Sequence, residues 1–272
     1  MASRISALLF LLIQFVWVPG YSQVDVVGSD SDLVTQETPS AAAANDALSR
    51  VDLGIVHVSQ DGVNQATIAA QFTRVFATQH QVTMIAQLVD EGVDSSINMR
   101  TGDLQLGYSY TPGHALSANP WVPSDIGIGM GLSIPTGDPS ISTGLGSYVL
   151  MPRLGFVKTL GSNFAISPTL AYQYSFNEQA DGTEVREWAL AADIVYVSPR
   201  TFWIQWTPTY IYDTNLNDGA FGTMIVAGKL LNRHFGLSLE FMRVPTIVPS
   251  SGSATTNYAN SYVLNFHVPF HY

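Results

Sequence analysis

The six histidines are the side chains best suited to chemistry, because the chain has no cysteine that could act as a nucleophile or a thiolate ligand. They are His57, His80, His114, His234, His267 and His271. No Gly-x-Ser-x-Gly nucleophile motif is present, and no histidine stands at a spacing from a serine that forces contact. His114, within the segment 112–117, is the best candidate for a catalytic base, and a solvated loop histidine is the simpler interpretation.

Neither a metal site nor a phosphate-binding loop is indicated. His267 and His271 lie four residues apart on a predicted strand, on one face but too far apart for a compact metal site without further ligands. The glycine-rich segment 127–131 lacks the helix and the lysine of a phosphate loop. The sequence therefore predicts no catalytic residues, no cofactor and no metal, and we expect that the protein is not an enzyme.

The charge of the chain narrows the classes of partner. Of its 272 residues, 46% are apolar and only 12% are charged. The formal net charge of −10 repels a ligand held through its phosphates, so we expect no nucleic-acid partner. Soluble domains usually carry about 25% charged residues. Something other than water is therefore expected to cover part of the surface.

The N-terminal segment predicts export from the cytoplasm. Arg4 precedes an apolar run over 7–18, which is shorter than the roughly 20 residues needed to cross a bilayer as a helix. We interpret 1–22 as a signal peptide. The polar stretch 23–50 is predicted to be a periplasmic linker or N-terminal arm, in which 41–48 could form a short helix inside or beneath the remaining domain, 51–272.

Beyond residue 51 the dominant pattern is alternation with a period of two. In 164–176, for example, Phe164, Leu170 and Phe176 share one face, while small and polar residues form the other. The pattern predicts about twelve strands, over 51–58, 66–76, 80–89, 102–111, 124–135, 148–159, 163–176, 185–198, 201–212, 220–232, 234–244 and 260–272.

These strands are long enough to cross a bilayer when tilted, which needs about 9–11 residues. Short and long links alternate, as expected for periplasmic turns and external loops. Two links break this rule, since 59–65 is short and 112–123 is long. Outward aromatic residues are predicted to form two interfacial girdles: Tyr172, Tyr174, Phe176, Trp188, Tyr210 and Tyr212 at the outer rim, and Phe156, Phe164, Tyr196, Phe202, Phe235, Phe270 and Tyr272 at the periplasmic rim.

The predicted fold is therefore all-β, a transmembrane antiparallel up-and-down β-barrel of about twelve strands in a bacterial outer membrane, with outer-membrane lipid around it. Pro152, Pro168 and Pro208 fall inside predicted strands and are expected to mark bulges; otherwise the strand count drops. The alternative, two stacked sheets, would bury Ile128 and Leu170 in a dry centre.

A barrel of this size is predicted to enclose a narrow polar passage. Arg153 is expected to pair across it with a carboxylate, and the acidic excess favours cations or neutral solutes over anions. The residues predicted to line the lumen are Arg153, Gln173, Glu187, Asp193, Gln205, Glu240, Asn265, His267 and His271.

Several segments resemble a known family: Gly131-Leu-Ser-Ile-Pro-Thr-Gly-Asp138, Gly144-Leu-Gly146, Met151-Pro-Arg-Leu-Gly-Phe156 and Ser167-Pro-Thr-Leu-Ala-Tyr-Gln-Tyr174. This part of the chain resembles the outer-membrane barrels of the MetA-pathway-of-phenol-degradation family from Gram-negative bacteria. The resemblance covers roughly 100–272 and implies a channel for small, often hydrophobic or aromatic, compounds.

The C-terminal residue Tyr272, with Phe270, Val268 and Phe266 at alternate positions, also resembles the signal read by the barrel-assembly machinery, which we expect to be a partner. The sequence predicts passive transport of a small-molecule solute. Two alternatives remain open: a barrel enzyme that hydrolyses lipids or esters, and a structural or adhesion barrel without a conducting lumen.

Overall fold

A computed structural model describes residues 50–60, 63–76, 79–90, 98–111, 125–141, 143–160, 163–179, 182, 184–198, 202–232, 235–250 and 253–269. The predicted signal peptide, residues 23–49 of the predicted arm, His114, Phe270, His271 and Tyr272 lie outside these residues, whereas Arg50 of the predicted arm belongs to the first strand. Within the described part of the chain, no helix is long and apolar enough to cross a membrane.

The described chain consists almost entirely of strands: β1 Arg50–Gln60, β2 Val63–Phe76, β3 His80–Asp90, β4 Met99–Thr101, β5 Leu104–Tyr110, β6 Asp125–Ile134, β7 Tyr148–Leu160, β8 Phe164–Phe176, β9 Arg186–Val197, β10 Phe202–Asp213, β11 Asp218–Asn232, β12 Phe235–Ser250 and β13 Ser253–Pro269. Each pairs antiparallel with its neighbour in sequence, and β1 also pairs with β13, which closes the sheet. The short β4 and the longer β5 both pair with β3 and act as one interrupted strand. The result is a closed twelve-strand antiparallel barrel, which confirms the predicted fold.

The outside of the barrel is apolar. Ile128 and Leu170 are 53% and 43% exposed, whereas two stacked sheets would have buried them. An apolar exterior on a sheet without free edges suits hydrocarbon, because every backbone N–H and C=O can be paired within the barrel. The exterior is therefore the lipid-facing surface.

Outward aromatic rings contact one another near both ends of the strands. Near one end, Tyr172 packs against Trp188 with ring centroids 4.7 Å apart. Near the other, Phe164 packs against Tyr196 at 4.9 Å. We call the end that carries the long links 135–147 and 177–185 the outer end, and the opposite end the periplasmic end.

The three prolines do not form bulges, so that expectation was wrong. Pro152, Pro168 and Pro208 each keep an in-register partner on one side, namely Met130, Ala192 and Thr223. On the other side the ladder skips two residue pairs and resumes in the same register. A proline has no N–H to donate, so only the ladder on its donor side is interrupted. The strand count stays at twelve because the register does not shift.

One predicted external loop, 245–259, is instead mostly strand. The pairs from Pro245↔Tyr258 to Ser250↔Ser253 extend the β12–β13 hairpin beyond the last pair of β1 with β13, Ser59↔Asn260. The prolines and the polar composition hid the β-branched residues of this segment, which favour strands. The link between β1 and β2 is short, as the sequence indicated, since Gln60 already pairs with Val63.

Candidate channel lumen

The outer half of the lumen carries aliphatic side chains beside buried polar ones such as Gln105, Gln173 and Glu187, whereas the alternation predicted a polar wall. The aliphatic side chains form one buried cluster with contributions from most of the barrel wall. The larger members are Val56, Val58, Val149, Met151, Ile211, Met224, Met242 and Val244. The prediction missed them because it assigned aliphatic side chains to the lipid face, and these strands carry aliphatic residues on both faces.

The link between β6 and β7 adds a further apolar side chain to this cluster. Leu145 is only 1% exposed and packs with the inward residues of the outer half. Asp103, which lies between β4 and β5, holds the link: its carboxylate accepts a hydrogen bond from Gly137 N at 2.9 Å and one from Leu145 N at 2.8 Å. The Thr136 hydroxyl donates to the carbonyl of Gly102 at 2.7 Å. The segment is therefore fixed across the wall rather than extended into solvent.

The link between β8 and β9 packs against the same segment. The backbone N–H of Gln179 donates to the carbonyl of Gly146 at 2.8 Å. Gly146 has a φ of +66°, and a Cβ there would lie 2.7 Å from Pro139 Cγ and 3.0 Å from Gly182 Cα. Only glycine fits this position without strain. Together the two links form a cap over part of the outer mouth, which we call the outer cap (135–147 and 177–185).

Polar side chains share the inward face with this cluster, towards the periplasmic end at Asp193 and near the outer end at Gln173 and Glu187. Asp193 accepts hydrogen bonds from Gln205 Nε2 at 2.9 Å and from the Thr207 hydroxyl at 2.7 Å. Gln173 and Glu187 lie on adjacent strands and form a cross-strand pair with buried side chains. The structure thus places four of the predicted lumen residues on the inward face, where Asp193 and Gln205 contact each other and Glu187 pairs with Gln173.

Arg153, on β7, extends over two glycines of the neighbouring strands β5 and β6. A Cβ at Gly129 would lie 2.5 Å from Arg153 Nε, and one at Gly107 would lie 3.9 Å from a terminal guanidinium nitrogen. The small residues of β5 and β6 therefore leave the space that this side chain fills. Its predicted pairing with a carboxylate across the lumen stays a prediction.

The periplasmic half contains a cavity of about 90 Å³. It is lined by Arg50, Asp52, Gly54, Val56, Ala69, Gln71, Ile85, Glu240, Val263, Asn265 and His267. Three of these, Glu240, Asn265 and His267, were predicted lumen residues. The Asn265 amide approaches a Glu240 carboxylate oxygen at 3.5 Å.

Arg50, Asp52 and His267, which line this cavity, belong to a chain of charged and polar contacts that continues to Ser238, which contacts His267 without lining the cavity itself. Asp52 accepts from Arg50 Nε at 2.7 Å through one oxygen and contacts His267 Nδ1 at 2.7 Å through the other. The second ring nitrogen, His267 Nε2, lies 2.8 Å from the Ser238 hydroxyl oxygen. Asp52, Asp103 and Ser238 were not predicted as lumen residues. The inward position of Ser238 could have been predicted, because it lies on the same face of its strand as the predicted lumen residue Glu240.

No family model matches the chain, and a search of curated proteins also finds no match. Solved structures do resemble it. The KdgM porin aligns with a TM-score of 0.56 at 11% identity, covering 81% of this chain and 99% of that one. The NanC porin aligns with a TM-score of 0.56 at 12% identity, covering 79% of this chain and 98% of that one.

The COG4313 outer membrane channel from Pseudomonas putida F1 aligns with a TM-score of 0.58 at 11% identity, covering 81% of this chain and 95% of that one. At these identities the likeness shows the fold alone. The closed barrel shared with these porins, together with the apolar exterior of this chain, places the protein in the outer membrane as a porin-like β-barrel.

Proposed function

We propose that the protein is a passive channel for small molecules across the outer membrane. The observation that carries the proposal is a closed barrel whose polar inward face opens into a cavity at the periplasmic end, while its outer half is narrowed by aliphatic side chains. Twelve strands lie between the eight that side chains can fill and the 16–18 that leave an open aqueous channel. A narrow passage is the expected result.

The proposed solutes are small, neutral or cationic, and partly apolar. Along the described strands the inward carboxylates Asp52, Glu187, Asp193 and Glu240 face few inward cations, among them Arg50 and Arg153. This excess disfavours anions. The aliphatic cluster of the outer half favours solutes with an apolar part, because such a part can contact its side chains without losing hydrogen bonds. The resemblance of 131–176 to the MetA-pathway family supports aromatic compounds among them.

Liposome swelling with the purified full chain tests the proposal. Entry rates of two aromatic ions of similar size, phenyltrimethylammonium and benzenesulfonate, show the charge preference of the channel. Neutral sugars of increasing size measure the width of the passage. We expect faster entry of the cation and a sharp decline in the rate with sugar size. Swelling no faster than that of protein-free liposomes for every solute would contradict a channel role.

A further inference from the structure

Three side chains on adjacent strands form a serine–histidine–carboxylate chain beside the periplasmic cavity. The Ser238 hydroxyl oxygen is 2.8 Å from His267 Nε2, and His267 Nδ1 is 2.7 Å from Asp52 Oδ1. A carboxylate only accepts hydrogen bonds, so Nδ1 carries the ring proton and Nε2 is left to accept from Ser238. This is the protonation pattern that a general base requires.

The closure of the barrel brings the three residues together. Asp52 pairs with His267 across β1 and β13, and Ser238 pairs with Asn265 across β12 and β13. All three therefore share the inward face, although Asp52 and His267 are 215 residues apart in sequence. Ser238 and His267 are 29 residues apart and belong to different strands, so no local spacing predicted their contact.

Two neighbours fix the geometry further. Arg50 Nε donates to the second oxygen of Asp52 at 2.7 Å, which holds the carboxylate in place. The Trp203 ring meets the His267 ring edge-on, with centroids 5.7 Å apart. A base oriented by a carboxylate and directed at a hydroxyl meets the geometric requirements for an activated nucleophile.

We propose that Ser238, His267 and Asp52 form a hydrolytic site for short-chain esters inside the lumen. The ester enters the cavity of about 90 Å³, which has room for only a few water-sized groups. Ser238 is 2% exposed, so only a small acyl group reaches it. The size of the cavity and the burial of the hydroxyl thus set the substrate class.

The reaction consumes ester and water and yields acid and alcohol. Ser238 Oγ attacks the ester carbonyl as His267 Nε2 takes its proton, and a tetrahedral oxyanion forms. The C–O bond to the alcohol breaks, the alcohol leaves with the proton from His267, and an acyl-serine remains. Water then attacks the acyl-serine as His267 Nε2 takes its proton. The C–O bond to Ser238 breaks, Ser238 Oγ regains the proton from His267, and the acid leaves. Arg50 and Asn265 line the cavity and supply donors for the oxyanion.

The first test is covalent labelling of the full barrel in detergent with methanesulfonyl fluoride, a serine reagent whose methyl group is as small as that of an acetyl ester. Trypsin cleaves after Arg233 and Arg243, so the peptide 234–243 contains Ser238 as its single serine. Labelling should add one methanesulfonyl group to this peptide, with loss of fluoride. His267→Ala should slow the labelling by about 10²- to 10⁴-fold, the contribution of a general base.

The second test is hydrolysis of p-nitrophenyl acetate by the same preparations. Ser238→Ala should abolish it, and Asp52→Asn should reduce it by at least about tenfold. Ser261→Ala is the matched control, because Ser261 is also buried and inward-facing, has no histidine contact, and lies in a different tryptic peptide. Heat-modifiable migration on a gel shows that each variant is folded.

An unlabelled 234–243 peptide in a folded barrel, or hydrolysis that survives Ser238→Ala, overturns the proposal. Conductance is measured separately on the native chain. A barrel that conducts but is not labelled would reject the hydrolytic site and support the channel role. A barrel that is labelled but does not conduct would reject the channel role and support the hydrolytic site.

Discussion

Asp103 is the residue on which the outer cap depends most. It is fully buried, and its two oxygens accept hydrogen bonds from backbone N–H groups of the β6–β7 link at 2.9 and 2.8 Å. Replacement by alanine leaves both buried donors without partners, at a cost of about 1–3 kcal/mol each. We expect Asp103→Ala to free the link and raise single-channel conductance.

The matched control for Asp103 is Asp138, an exposed carboxylate of the same link. Its Oδ1 accepts from Ser140, through the backbone N–H at 2.9 Å and the hydroxyl at 2.6 Å. Asp138→Ala should leave the conductance at the native value. Equal conductance of native and Asp103→Ala barrels would show that the link does not restrict the pore.

Glu240 is the inward carboxylate best placed to affect ion selectivity, because it lines the periplasmic cavity. Glu240→Gln removes its charge while keeping a similar shape. We expect the permeability ratio of potassium over chloride to fall by about two- to fivefold, as for a partly screened charge. Lys229→Gln, an exposed charge on the outward face of β11, serves as the control and should leave the ratio unchanged. A permeability ratio unchanged by Glu240→Gln would show that other residues set the ion selectivity.

At the residue scale, the sequence predicted the inward positions of Gln173 and Gln205. The strand of Gln173 alternates cleanly between large apolar and small or polar residues, and Gln205 shares its face with Thr207 and Thr209. It could not predict the Asp103 contacts, since these join residues 34 and 42 positions away through an irregular link. The Ser238–His267–Asp52 chain was equally invisible, because it depends on closure between the first and last strands.

At the scale of elements, the two links of the outer cap depend on a glycine. Gly146 has a φ of +66° and accepts a hydrogen bond from Gln179 N through its carbonyl. An alanine there costs about 1–2 kcal/mol in backbone conformation and would also collide with Pro139. We expect Gly146→Ala to loosen the cap and to increase cleavage of 135–147 by proteinase K in intact barrels.

Gln179→Ala is the control for the cap, because the hydrogen bond to Gly146 uses the backbone N–H and the side chain is exposed. Its digestion pattern should match that of the native chain. Resistance of Gly146→Ala to proteinase K at the native level would mean that the contact between the links does not stabilise the cap.

Strand boundaries could be predicted where apolar and polar residues alternate regularly. The prediction was wrong where prolines interrupt this alternation. The strand 163–176 was predicted to within a residue of Phe164–Phe176. The hairpin extension over 245–259 was missed because Pro245 and Pro249 argued against strand. In the structure these prolines are accommodated in the outermost part of the hairpin, past the last pairing of β1 with β13.

For the whole molecule, stability in lipid rests on the apolar exterior. Leu170 is the central residue of the thirteen-residue β8 and faces outward. Leu170→Arg should lower the free energy of unfolding in lipid vesicles by about 2–4 kcal/mol, the cost of a cation near the bilayer midplane. Leu231→Arg, next to the periplasmic end of β11, should cost only about 0–1 kcal/mol. Equal costs at the two positions would contradict the assigned membrane depth.

The class of fold could be predicted from the sequence. Low charge and long alternating strands indicate a sheet in contact with hydrocarbon, and such a sheet must close into a barrel to pair its backbone groups. The lumen did not follow, because the two faces of several outer-half strands are both aliphatic. Met224 and Met242, for example, face each other across β11 and β12 with both side chains buried inward.

Planar-bilayer recording with the purified full chain tests the central claim most directly. In a potassium chloride gradient we predict discrete conductance steps and a reversal potential of the sign that marks preference for potassium over chloride. A correctly folded, heat-modifiable barrel that inserts and gives no conductance under any applied voltage would contradict the channel role.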